Sequence, residues 1–206
     1  AAGNLRPTVM SNGEVTTGSI VAQSWASDAS STTMTYCYSK ATLYDDDSDY
    51  TLPDGNTVKS MDIGGLAGRY EGTIENCFFA GAINSTHTGN SAGGLIGVTN
   101  GASKTHLCKS YVDAHINATN ECKGKFAGWF TEGCILEYCV INTNCGITDD
   151  AQGGPWTHNA ENATLAALCN MDDFSTGEAC WILNKKTTES PTWFQTLGVD
   201  SHPVWK

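Results

Sequence analysis

An acidic run in the first third of the chain carries carboxylates whose spacing could bind a metal ion. Asp45, Asp47 and Asp49 occupy alternate positions, and Asp54 follows them with a glycine directly after it. Alternating carboxylates in a loop can converge on calcium, which prefers oxygen ligands. The full EF-hand pattern fails, because Tyr50 stands where that loop needs glycine. The sequence therefore leaves two alternatives, a calcium site at these four aspartates or a solvated acidic insertion.

Aromatic side chains that follow a repeated glycine phrase could form a surface for sugars. Aligning the copies of the phrase gives two adjacent columns, the first with Gln23, Arg69, Val98 and Trp129 and the second with Ser24, Tyr70, Thr99 and Phe130. Trp25 lies one step beyond the second column. Sugar rings can stack on flat aromatic faces, so outward-pointing columns would suit an extended glycan. We expect the ligand to bind at Trp25, Tyr70, Trp129, Phe130 and Arg69, unless these side chains cover loops or pack at corners.

Catalytic groups are present but not in a diagnostic pattern. Glycosidic cleavage needs two carboxylates facing each other across a cleft. The candidates for such chemistry are Arg69, Glu71, Glu75, Glu132 and Glu137, and no pair among them recurs at a suitable spacing. The histidines at 87, 106, 115, 158 and 202 also lack a ligand-like spacing. Ser91 lies in a Gly-x-Ser-x-Gly string but without the strand before it and helix after it that a nucleophile elbow requires. We therefore expect no catalytic residues.

Four of the nine cysteines recur with the repeat. Cys37, Cys77, Cys108 and Cys139 are separated by 40, 31 and 31 residues. Equivalent positions in stacked strands lie about 4.8 Å apart, and a small apolar side chain packs well there. We expect these residues to form an internal column of thiols, with metal binding or a disulfide between adjacent coils as alternatives.

The other five cysteines leave the disulfide pattern open. They are Cys122, Cys134, Cys145, Cys169 and Cys180. The total is odd, so at least one thiol is unpaired within the chain. Cys169 could bridge to Cys180 and Cys122 to Cys145, and a largely reduced set is equally admissible.

A repeat positions all of these residues. The phrases GGLAG at Gly64 and GGLIG at Gly93 have weaker copies at Gly18 and Lys125, and an insertion at residues 44–59 lengthens the first period. Without the insertion the period is about 30 residues, which indicates a stacked array. The segments around the cysteines are short, rich in aromatic and β-branched residues and bounded by turn formers, as strands are. We predict an all-β, right-handed parallel β-helix, a solenoid of about four coils with two or three strands each, over residues 1–149.

Residues 150–206 interrupt the pattern and are predicted to cap the last coil. The sequence suggests two short helical turns, one with Leu165, Leu168 and Cys169 and the other with Trp181, Ile182 and Leu183. Terminal repeats need a cover over the end of the core, and Trp181, Trp193 and Phe194 could provide it. The N-terminus shows no comparable cap, so we expect the chain to be part of a longer protein.

Composition excludes two classes of partner. The chain has 206 residues, of which 11 are basic and 22 acidic, for a net charge of −11. Nucleic-acid binding needs a basic stripe, which the sequence lacks. No stretch approaches the roughly eighteen apolar residues of a membrane-spanning helix, so we expect no membrane insertion.

The glycine phrases and the segment NCFFAG at Asn76 resemble the GLUG-motif repeats of large, adhesin-like bacterial surface proteins. The resemblance covers roughly residues 18–145 and is clearest in the two central copies, since Ser19 and Lys125 replace a glycine in the outer ones. It implies a secreted or cell-surface bacterial protein whose partner is a glycan or another host or cell-surface ligand.

Three functions remain as expectations. The leading one is an extracellular, adhesin-like, non-catalytic module that binds carbohydrate through exposed aromatic residues. The second is a polysaccharide-active β-helix enzyme, a lyase or glycosidase, or an accessory module of one. The third is a structural spacer without a ligand of its own.

Overall fold

Short parallel strands make up most of the fold. The computed structural model describes residues 4–5, 8–9, 15–24, 32–45, 49–51, 54–86, 91–99, 105–119, 122–129, 134–147, 164–166 and 169–205. Helix in these residues is limited to a 3-10 turn at Phe174–Thr176 and to α1 at Glu178–Leu183. The predicted all-β parallel architecture is confirmed. None of the described helices is long and apolar enough to cross a lipid bilayer.

The strands follow one another in successive coils. Two strands come first, β1 (Asn4–Leu5) and β2 (Thr8–Val9). The first coil contains β3 (Val15–Gly18), β4 (Val21–Gln23), β5 (Thr33–Thr35), β6 (Tyr38–Ser39) and β7 (Thr42–Asp45). A hairpin strand, β8 (Asp49–Thr51), precedes the second coil, which contains β9 (Thr57–Gly64), β10 (Ala67–Arg69), β11 (Thr73–Glu75), β12 (Phe78–Phe79) and β13 (Ala82–Ser85).

Two further coils repeat this order. The third contains β14 (Ser91–Gly93), β15 (Ile96–Val98), β16 (His106–Cys108), β17 (Tyr111–Val112) and β18 (His115–Ala118). The fourth contains β19 (Cys122–Gly124), β20 (Ala127–Trp129), β21 (Ile135–Glu137) and β22 (Val140–Asn142), and β23 (Thr164–Ala166) and β24 (Cys169–Met171) follow it. Strands at the same place in successive coils pair in parallel and form five sheets. A complete coil therefore has five strands, and the prediction of two or three was wrong.

Each coil turns sharply between its third and fourth strands. The turn residue has a left-handed backbone in every coil, with φ values of 52°, 54°, 47° and 52° at Tyr36, Asn76, Lys109 and Tyr138. This conformation disfavours residues other than glycine. The next residue stabilises the turn by donating a side-chain hydrogen bond to the carbonyl two residues earlier, as Cys77 does to Glu75 at 3.2 Å.

The residues that follow this turn form a column that differs from the predicted thiol column. They are Cys37, Cys77, Ser110 and Cys139, as the pairing of the adjacent fourth-strand residues shows. Cys108 lies instead in the third sheet, in register with Glu75 and Glu137. The prediction was wrong for Cys108 because the coils differ in length. Thr73 pairs with His106 33 residues later, whereas His106 pairs with Ile135 only 29 residues later.

Most cysteines of the described residues are buried and take part in no disulfide. The cysteines outside any disulfide are Cys37, Cys77, Cys108, Cys122, Cys134, Cys139, Cys145 and Cys180. The candidate bridges Cys122–Cys145 and Cys169–Cys180 are therefore not formed, since at least one partner of each is among them. The sulfurs of Cys77, Cys134, Cys139 and Cys145 act as small apolar groups within the core.

The glycine phrase makes the tight corner between the first and second sheets. A Cβ on Gly97 would lie 2.5 Å from the carbonyl oxygen of Gly68 and 2.8 Å from the amide nitrogen of Ile63. Glycine is needed there because neighbouring backbones approach too closely for a side chain. Leu66, Leu95 and Phe126 follow in three successive coils and are fully buried in the main core.

The described part of the C-terminal segment extends the last coil with two strands and then packs against the outer face of the fourth sheet. Strands β23 and β24 extend the third and fourth sheets, so the helical turn predicted for Leu165 and Cys169 is wrong. The second predicted turn corresponds to α1. Strands β25 (Trp193–Phe194) and β26 (Val204–Trp205) form an antiparallel hairpin. Trp193 is buried against Phe78 and Tyr111 of the second and third coils, because the outer face of the fourth sheet is aromatic.

Candidate binding surface

A column of stacked aromatic rings runs along the outer face of the fourth sheet. The parallel register places Tyr38, Phe78 and Tyr111 directly above one another. The rings of Tyr38 and Phe78 are 4.9 Å apart with an interplanar angle of 15°, and those of Phe78 and Tyr111 are 4.6 Å apart at 5°. Each ring is held by the one beneath it, so the column is a rigid platform.

The C-terminal hairpin and the top of this column enclose a cleft. The Trp205 ring meets Tyr38 edge-on at 5.9 Å and Phe78 at 5.2 Å. The space between them has a volume of about 300 Å³ and is lined by Tyr38, Lys40, Phe78, His202, Val204 and Trp205. Tyr38 remains 46% exposed there, and Tyr36 beside Trp205 is also exposed. An apolar surface with polar groups at its edge is a common form of ligand site.

Hydrogen bonds fix the wall of this cleft to the coils. The Tyr111 hydroxyl donates to the carbonyl of Pro203 at 3.1 Å, and the Trp193 indole N–H donates to the carbonyl of Lys109 at 3.1 Å. The side chain of Asn184 binds the backbone of Trp193 through both its amide nitrogen and its carbonyl oxygen. These bonds hold the hairpin in one position relative to the aromatic column.

The two basic groups of the cleft differ in charge state. Burial lowers the pKa of His202, and the neighbouring Lys40 lowers it further, against smaller opposing effects of Asp113 and Asp200. His202 is therefore neutral at pH 7, and its Nδ1 lies 2.9 Å from the Ser201 hydroxyl. Lys40 supplies the positive charge, so the cleft offers one cation and one neutral imidazole to a ligand.

The predicted aromatic strip is not assembled by the described residues. The first predicted column is confirmed, since Gln23, Arg69, Val98 and Trp129 pair in register on the second sheet, and Trp129 is 37% exposed. The outward orientation predicted for Tyr70 is wrong. Tyr70 is 2% exposed and its hydroxyl donates to the carbonyl of Thr73, and Thr99 of the same column is also buried. Trp25 and Phe130 lie outside the described residues.

Arg69 takes part in a buried polar network and is not a free cation at the surface. Its Nε lies 2.6 Å from Asp62 Oδ2, and the Ser91 hydroxyl donates to Asp62 Oδ1 at 2.8 Å. Ser91 is buried on β14, a strand position that does not fit a nucleophile elbow. The network neutralises the Asp62 carboxylate within the fold.

The acidic insertion forms a β-hairpin between the first two coils. Strand β8 pairs antiparallel with the start of β9, from Asp49–Lys59 to Thr51–Thr57. Asp54 is exposed in the hairpin turn and accepts hydrogen bonds from Asn56, whereas Asp45 is buried at the end of β7. These two carboxylates thus have different surroundings. Asp47 and the side chain of Asp49 lie outside the described residues, so the calcium site stays a prediction.

The candidate acids of the third sheet are paired with bases. Glu75 Oε1 lies 2.7 Å from Lys109 Nζ, and Glu137 Oε1 lies 2.9 Å from His106 Nε2. Cys108 stands between the two glutamates in the sheet. This arrangement differs from the open pair of carboxylates that glycosidic cleavage requires. Glu71 is buried, and Glu132 lies outside the described residues.

One group of side chains that could bind a metal ion was not predicted from the sequence. A ring nitrogen of His106, Cys108 Sγ and a Glu137 carboxylate oxygen all lie within 4.8 Å of one another. His106 and Cys108 share a face of β16 because alternate residues of a strand point the same way. That spacing was visible in the sequence, but Glu137 joins them only through the pairing of β16 with β21.

Comparison with known proteins identifies the second coil. A family model described as the GLUG motif matches residues 60–84, which run from β9 into β13. Searches of curated proteins and of solved structures gave no match. The matched residues include GGLAG and NCFFAG, the phrases on which the sequence resemblance rested. This chain therefore contains a GLUG motif, and the matched residues form the second of a series of stacked, parallel β-coils.

Proposed function

We propose that this chain is an extracellular, adhesin-like, non-catalytic module that binds carbohydrate in the cleft between Tyr38 and Trp205. The observation that carries the proposal is the half-exposed Tyr38 ring at the top of a rigid aromatic stack. The apolar face of a sugar ring packs on such a surface. Because the column and the hairpin are already fixed in position, little conformational entropy is lost when a ligand binds.

The rim of the cleft supports a polar, sugar-like ligand. Lys40 can donate to hydroxyl or carboxylate oxygens, and the neutral His202 can donate or accept a hydrogen bond. A ligand with one apolar face and several hydroxyl groups would satisfy both parts of the cleft. The volume of about 300 Å³ matches a short glycan segment better than a large apolar molecule.

The composition of the lining favours binding over catalysis. The described residues that line the cleft include two bases but no carboxylate. Hydrolysis of a glycosidic bond uses a pair of carboxyl groups about 5 to 10 Å apart. The GLUG-motif resemblance also supports a binding function, since it suggests a secreted or cell-surface protein with a glycan or host ligand.

A glycan array followed by titration calorimetry tests the proposal. Tyr38→Leu keeps an apolar side chain but removes the ring face, so it is expected to weaken glycan binding at least tenfold. Trp129→Leu makes the same kind of change on the second sheet and is the matched control. Melting curves of both variants would separate loss of the ligand site from loss of the fold.

Each outcome has a defined meaning. Loss of glycan binding in Tyr38→Leu but not in Trp129→Leu supports a binding site in the cleft. Loss of glycan binding only in Trp129→Leu would contradict that site and would favour binding at the aromatic strip predicted from the sequence. Release of reducing ends from polysaccharides would instead indicate an enzyme. Neither glycan binding nor release of reducing ends would indicate a structural spacer.

A further inference from the structure

We propose that His106, Cys108 and Glu137 bind one Zn²⁺ ion on the outer face of the third sheet. The nitrogen, sulfur and oxygen donors lie within 4.8 Å of one another. Zinc ligands in a tetrahedral site lie closer together than this, so only small side-chain movements are needed to reach coordination. The site lies apart from the carbohydrate cleft and does not depend on it.

The backbone positions these donors without distortion. His106 and Cys108 alternate with Leu107, which is buried in the core, so the first two point away from it. Cys108 pairs in register with Glu137 on the adjacent strand of the next coil. The His106–Glu137 contact of 2.9 Å already orients the imidazole toward the carboxylate.

Cys108 differs from the cysteines of the corner column because it lies on β16 and not at the turn. Cys77 and Cys139 each donate a hydrogen bond to the carbonyl two residues earlier. Among the described residues, Cys108 Sγ makes no such bond and lies in register between two glutamates. A divalent cation would provide the partner that this sulfur lacks.

The donor set suits zinc in chemistry and charge. Imidazole, thiolate and carboxylate together are typical zinc ligands and carry two negative charges, which balance a divalent ion. The thiol proton is released to solvent when the metal–sulfur bond forms. Glu75 is held by Lys109 at 2.7 Å, so three protein ligands remain and a water molecule can complete the tetrahedron. The His106 and Glu137 side chains are 31% and 26% exposed, which gives the ion a path from solvent.

Titration of the reduced, metal-free chain tests this site. Zn²⁺ is added in competition with a chromophoric chelator, and Co²⁺ serves as a spectroscopic probe for a thiolate ligand. We expect one equivalent of metal and a sulfur-to-cobalt charge-transfer band. Cys108→Ser and Glu137→Gln should each weaken Zn²⁺ binding by about 100-fold or more. Cys77→Ser is the matched control, because Ser110 shows that serine fits that column.

Two results would overturn the proposal. One is equal Zn²⁺ affinity in the unmodified chain and in Cys108→Ser. The other is a cobalt spectrum without a thiolate band. In that case Cys108 is not a metal ligand, and the contact between His106 and Glu137 is a structural ion pair. If Cys108→Ser loses its circular dichroism spectrum, Glu137→Gln decides the question, since it keeps the size and shape of the side chain.

Discussion

The amide nitrogen of Cys77 donates a hydrogen bond to the hydroxyl oxygen of Ser110 in the next coil, at 3.1 Å. Ser110 in turn donates to the carbonyl of Cys108 at 2.9 Å. The same pattern joins the first two coils, where the amide of Cys37 donates to the sulfur of Cys77 at 3.4 Å. One small side chain thus stabilises a strained turn in its own coil and accepts a backbone hydrogen bond from the preceding coil.

Ser110→Ala is expected to destabilise the protein by about 1 to 3 kcal/mol. The substitution leaves the buried Cys77 amide without its acceptor and removes the bond to the Cys108 carbonyl. Ser110→Cys should cost less, because cysteine occupies the equivalent position in the other three coils. Urea denaturation measures both. Equal stability of the alanine and serine forms would contradict the role given to this hydroxyl.

Gly97→Ala is expected to destabilise the protein by about 3 kcal/mol or to prevent folding. Its Cβ would lie within 2.8 Å of backbone atoms of both Gly68 and Ile63, and backbone cannot move aside as a side chain can. Gly55→Ala is the control, because no atom lies within 4 Å of its Cβ and only its φ of 85° disfavours alanine. Thermal melting compares the two. A milder effect at Gly97 than at Gly55 would show that the corner is not tightly packed.

The thiols should react at very different rates in the native protein. Burial raises the pKa of Cys77 to about 12, so roughly one molecule in ten thousand carries its thiolate at pH 8. Burial also raises the pKa of the Cys139 thiol. Cys37 and Cys180 are only partly buried and should be alkylated first. Peptide mapping after brief iodoacetamide treatment measures the order, and rapid labelling of Cys77 would be evidence against the packed column.

Stability should decrease in mild acid because of His202. Burial lowers its folded-state pKa, so the unfolded chain binds more protons between that value and the unfolded pKa of about 6.5. The contribution is fully present above about pH 6.5 and is lost as the pH falls through this window. His202→Gln should reduce the difference in unfolding free energy between about pH 7.5 and pH 5. An unchanged difference would show that His202 titrates alike in both states.

The sequence alone determined the architecture and part of the register. The glycine phrase and its period predicted parallel coils, and they placed Gln23, Arg69, Val98 and Trp129 in the column that the structure shows. This succeeded because the corner between the first and second sheets has the same length in every coil. A local constraint of backbone geometry, repeated at fixed spacing, is visible in a single chain.

Only the tertiary structure decided the register and orientation of the residues that follow that corner in each coil. The loops between the second and third strands differ in length, so the 31-residue spacing selected Cys108 in place of Ser110. The inward direction of Tyr70 and the approach of Glu137 to His106 likewise depend on hydrogen-bonded register between coils. The cleft needs a contact across 92 residues, from Tyr111 to Pro203. Such long-range packing is set by the burial of complementary faces, and linear spacing does not encode it.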